Sequence, residues 1–113
     1  MVDIDEIMQL YDRFVQIVKL LSASAEEQMQ MLRGTAVTDE IALDFSERGM
    51  PYARELLKYG WITQKQFNIA QNIDNKLEEM SQKKELWNDA ALISSTEWAA
   101  CRKYGMNLLR TLE

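Results

Sequence analysis

The chain has 113 residues, 47% hydrophobic and 27% charged, a composition for one domain with a true core and not for a disordered chain. Its formal charge is −5, with no histidine and one cysteine. That removes the usual general base near neutral pH, the commonest zinc ligand and any internal disulfide, and makes small hydrolases and metal sites poor expectations.

No apolar run reaches the ~18 residues of a membrane span. The first stretch carries acids and no basic segment, so no signal peptide is expected. A reducing cytoplasm is the expected location. The charge is uneven: residues 1–50 hold ten acids against four bases, and residues 51–113 hold eight against nine. An acidic half repels phosphate backbones and attracts basic partners.

Every segment reads as helix. The first runs from Ile4 to Leu21, with apolar residues at Ile4, Ile7, Met8, Tyr11, Phe14, Val15, Val18 and Leu21 on one face. Leu10, Ile17 and Leu20 widen that stripe, which predicts a central helix touched on more than one side. Asp3 is its cap, with Glu6 three residues on.

Ser24 followed by Glu27 predicts a capping box for a short second helix ending at Arg33, with Gly34 as its left-handed stop. Thr38 is the expected cap of the third helix. Gly49 is expected to close it, and Pro51 to open the fourth, which ends at Tyr59 before Gly60. Thr63 with Gln66 is a capping box for the fifth helix, whose apolar face carries Phe67, Ala70, Ile73, Leu77 and Met80. Leu86, Trp87, Ala90, Ala91, Leu92 and Ile93 form a weaker helical stretch. Ser94 with Glu97 predicts the cap of a last helix running to about Leu112, interrupted by Gly105, which would suit close approach of another helix. The expected architecture is all-α: residues 1–113 as one compact bundle of about five to six helices with short connections.

Four features are candidates for function. The segment Lys58–Phe67 has the outline of a helix-turn-helix, and Gln64, Lys65, Gln66 and Asn68 open its second helix, where Gln and Asn can read adenine. Its positive charge is thin, limited to Arg54, Lys58 and Lys65, so nucleic acid is not the expected partner. Glu40, Asp44 and Glu47 share one helical face, with Asp39 adjacent. With Glu26 and Glu27 they suit either plain solvation or the landing of a basic partner.

Asp3 with Glu6, and Asp44 with Glu47, have the i, i+3 spacing of magnesium-binding carboxylates, but six oxygen ligands are hard to assemble from them, and no metal or cofactor is expected. Trp61, in a tight connection, is the tryptophan expected to stay partly exposed, as a binding anchor would. Cys101, on the apolar face of the last helix, is expected to be buried and inert.

From Leu57 to Leu109, the stretches LKYGWITQKQF, NIDNKLEEMS, ELW and EWAACRKYGMNLLRTL together resemble small bacterial immunity proteins of contact-dependent growth inhibition systems. The resemblance implies a small cytoplasmic protein, not an enzyme, that binds a toxin domain and blocks its active site. Many such toxins are nucleases with basic clefts, which an acidic inhibitor suits. Glu26, Glu27, Asp39, Glu40, Asp44, Glu47 and Trp61 are then the candidate partner-binding residues. A helix-turn-helix regulator and an oligomeric adaptor are the alternatives.

Overall fold

The computed structural model describes residues 3–113. Helix α1 (Ile4–Ser22) begins where the Asp3 carboxylate accepts the Asp5 N–H, and it buries Ile7, Phe14, Ile17, Val18 and Leu21. After a bend, Ser24 caps α2 (Ala25–Met31) by accepting the Glu27 N–H. This helix is shorter than expected: it ends at Met31, and Gly34 follows with φ 86°.

Helix α3 (Val37–Leu43), a π-helical segment (Asp44–Gly49) and α4 (Met50–Lys58) then run on as one continuous rod. Two expectations fail here. Thr38 does not cap α3; Ala36 holds that position, and Thr38 is buried one residue inside the helix. Gly49 does not end a helix either, because its backbone is right-handed helical (φ −59°, ψ −48°). Pro51 sits inside the rod. It brings no N–H to the ladder and crowds the carbonyl four residues back. The wider π turn directly before it accommodates both defects.

The rod ends in a Schellman motif: Gly60 N–H bonds to the Leu57 carbonyl and Trp61 N–H to the Leu56 carbonyl. Gly60 supplies the positive φ, 75°. Helix α5 (Gln64–Met80) follows with the capping box intact, Thr63 Oγ1 accepting from Gln66 N and Gln66 Oε1 from Thr63 N. A 3-10 turn (Lys84–Leu86), α6 (Asp89–Ser94) and α7 (Thr96–Leu112) complete the chain. The cap of α7 is Ser95, one residue later than expected, because Ser94 still belongs to α6 and donates its hydroxyl to the Ala90 carbonyl.

Counting the rod once, six helices form the bundle, and the described residues contain no strand. Tyr11 meets Leu112 and Leu21 meets Gly105, so α1 and α7 are antiparallel. Gln66 meets Thr111 and Met80 meets Cys101, so α5 and α7 are antiparallel too. Helix α1 also packs on the π segment and on α4, the central position its wide stripe predicts. The buried apolar residues of all these helices form one core. None of the helices in the described residues is long and apolar enough to cross a membrane.

Candidate functional site

The acids belong to two separate helix starts and one irregular segment. Glu26 and Glu27 stand in the first turn of α2, and both are exposed. Glu27 is partly engaged, accepting the Ser24 hydroxyl at 3.0 Å. Asp39 and Glu40 are exposed in the first turn of α3, where they complement its dipole. Asp44 and Glu47 belong to the π segment. Asp44 is half-buried and paired with Arg48 at 3.5 Å, while Glu47 is exposed. Among the described residues, no cation lies within ion-pair distance of Glu26, Asp39, Glu40 or Glu47.

Glu40, Asp44 and Glu47 do share one shallow patch, together with Leu43 and Arg48. The rod also presents Asp39 and Glu47 to α5, across a groove of about 520 Å³ that includes Leu77, Glu78 and Trp87. Glu78, Trp87 and Leu43 were not expected at a site. Leu43 carried the one available signal, an apolar residue among acids on a helix. That Glu78 and Trp87 face it follows only from packing.

Trp61 lies elsewhere. Its ring is tilted against Tyr11 of α1, centroids 6.1 Å apart, and it keeps 38% of its surface exposed. Glu26 and Glu27 follow the far end of α1, which lies about 16 Å from Tyr11 along its axis at the ordinary helical rise. The candidate anchor and the acids of α2 therefore do not form one contiguous patch. The neighbouring Ile62 is buried, so the Gly60–Thr63 connection is a packed corner with one edge of a ring left in solvent.

Three of the polar side chains that open α5, Gln64, Gln66 and Asn68, are engaged within the molecule. Gln64 donates to Asn68 at 2.9 Å, and Gln66 closes the capping box and donates to the Thr111 carbonyl at 2.9 Å. Cys101 is fully buried, its sulfur 3.6 Å from that of Met80. Burial pushes its thiol up to about 11. A thiol held protonated has no nucleophilic form at neutral pH. Among the described residues, no three His, Cys, Asp or Glu side chains gather as a metal ion would require. In comparisons with known proteins, no family model, no curated protein and no solved structure matches this chain.

Proposed function

We propose that this chain is a non-enzymatic protein-binding domain of the cytoplasm that neutralises a basic partner, as a small immunity protein blocks a nuclease-type toxin. The observation that carries the reading is the set of exposed carboxylates Glu26, Asp39, Glu40 and Glu47 on α2, α3 and the π segment, none of which is ion-paired among the described residues. Unpaired charge of one sign steers a partner of the other sign and disfavours like-charged competitors. The same charge opposes a phosphate backbone, which weighs against the DNA-binding alternative.

The test begins with the product of the open reading frame directly preceding this one, purified and mixed with this chain. The expected result is a tight complex in which the partner's own activity is lost. The triple substitution Glu40→Lys, Asp44→Lys, Glu47→Lys is expected to slow association by roughly tenfold at low salt, with a smaller effect at high salt. A neighbouring product that does not bind, or one that binds the triple variant unchanged, overturns the reading.

A further inference from the structure

We infer that the groove between the π segment and the C-terminal end of α5 docks a short amphipathic segment of the partner, with an apolar side chain inserted and lysine or arginine on either side of it. This rests on the reading of the chain as a binder of a basic protein, and it names the docking surface and the chemistry that fits it.

The floor of the groove is apolar. Ala42 and Leu43 form one wall, and Leu77 and Trp87 form the other. Leu43 is 48% exposed although its helix buries Val37 and Ile41 elsewhere. An exposed leucine facing a half-buried indole across a cleft is ready-made contact area for an inserted side chain. The rim is of one sign. Asp39, Glu47 and Glu78 stand around the floor, no lysine or arginine lines the groove, and none of the three is ion-paired among the described residues.

Two larger grooves differ in this respect. The one between α2 and α6, about 710 Å³, sets Arg33 beside Glu26 and Asp89. The one between α5 and α7, about 580 Å³, sets Lys76 beside Glu79. Mixed charge selects no sign of partner; an acidic rim around an apolar floor selects a cationic segment with an apolar centre.

The groove is also pre-formed. Its mouth includes Ser46 and Glu47 of the π segment, and wide π turns recur where a helix presents side chains for function. Ser46 donates its hydroxyl to the Asp74 carboxylate of α5, so the two walls are bonded to each other. A wall held in place loses little freedom on binding.

The probe is the synthetic peptide acetyl-Lys-Lys-Leu-Phe-Leu-Lys-Lys-amide, titrated into the ¹⁵N-labelled full chain and followed by amide and indole shifts. Its controls are the glutamate-for-lysine version and an all-lysine heptapeptide. The expected result is saturable shifts at Leu43, Glu47, Glu78 and the Trp87 indole, with binding weakened at least tenfold for the glutamate peptide and severalfold for all-lysine. Glu47→Lys with Glu78→Lys is expected to weaken binding at least tenfold, and Leu43→Ala severalfold. The surface control Glu55→Lys should leave it within twofold. These positions are exposed, so the variants keep the far-ultraviolet circular dichroism of the parent.

Shifts that map to α2 or to Trp61 overturn this docking surface and leave the basic-partner reading standing. Equal binding of the glutamate peptide overturns the charge argument. Shifts in the groove that grow with protein concentration alone assign it to a second copy of the chain and overturn the proposal. No binding of either cationic peptide anywhere at millimolar concentration overturns both the surface and the reading beneath it.

Discussion

Trp98 has no solvent exposure, and its indole N–H has one partner, the Leu86 carbonyl at 2.7 Å. Trp87 meets it edge to face, centroids 5.4 Å apart, and donates its own N–H to the Met80 carbonyl. Trp98 thereby satisfies a carbonyl that the turn after α5 leaves open, while Trp87 adds a second bond to the Met80 carbonyl, which already accepts the Lys83 N–H. Trp98→Phe keeps an aromatic ring but strands one carbonyl in a dry site. The expected cost is about 2–3 kcal/mol in urea unfolding, from the lost bond and the emptied volume; a loss below ~0.5 kcal/mol would contradict this role. Cys101 makes a pH prediction. Burial keeps its folded thiol protonated to about 11, against an ordinary value of 9.0. Between those values the unfolded chain gives up this proton and the folded chain does not, so the contribution of this group to stability falls as pH rises through that window. Cys101→Ala should lack this part of the alkaline loss, seen as a difference between two urea-midpoint curves over pH 8–11. A disulfide-exchange reagent at pH 8 should label the native thiol only at the rate of unfolding.

Among the elements, two glycines inside helices do different things. A methyl group at Gly105 would stand 3.2 Å from Ser22 Cβ and 3.3 Å from Leu21 Cδ2, where α7 crosses α1. Ser22 Cβ is fixed to its backbone and cannot step aside. At Gly49 the one tight neighbour is Ile17 Cγ2 at 3.3 Å, a single close contact where Gly105 has three. Alanine gains about 1 kcal/mol over glycine within a helix. Gly105→Ala is therefore expected to destabilise by about 1 kcal/mol net, since overpacking costs roughly 1–3 kcal/mol, and Gly49→Ala to fall near neutral. Thermal unfolding of the two variants checks the order; the reverse order would refute the packing argument. The caps separate in the same way. Thr63→Ala should cost about 1 kcal/mol, because Thr63 Oγ1 holds the Gln66 N–H at the start of α5. Thr38, buried inside α3, makes no cap for its replacement to remove.

Over the whole molecule, the first and last helices close the bundle together. Tyr11 donates its hydroxyl to the Leu112 carbonyl at 2.7 Å, across nearly the full length of the chain. One core runs through α1, the rod, α5 and α7. Urea unfolding followed by tryptophan fluorescence should therefore coincide with loss of helix followed by circular dichroism, in a single transition. Two separated midpoints would show that part of the bundle opens alone.

What the sequence determined by itself was set by forces acting within a few residues. Gly34 and Gly60 take the left-handed backbone, Ser24 and Thr63 cap, and the stripe of α1 places it centrally, because φ preference, capping bonds and helical periodicity are all local. Where two local signals sat next to a stronger tertiary one, they misled. Gly49 and Pro51 look like a helix end and a helix start, but packing of the rod against α1 favours continuity through a π turn. The acids were legible as a charge pattern. Their division was not, nor was the distance of Trp61 from α2, nor the meeting of Leu43 with Leu77 and Trp87. Those residues are far apart in the chain and share no hydrogen bond or periodicity. Only the antiparallel packing of the helices around one core brings them to the same groove.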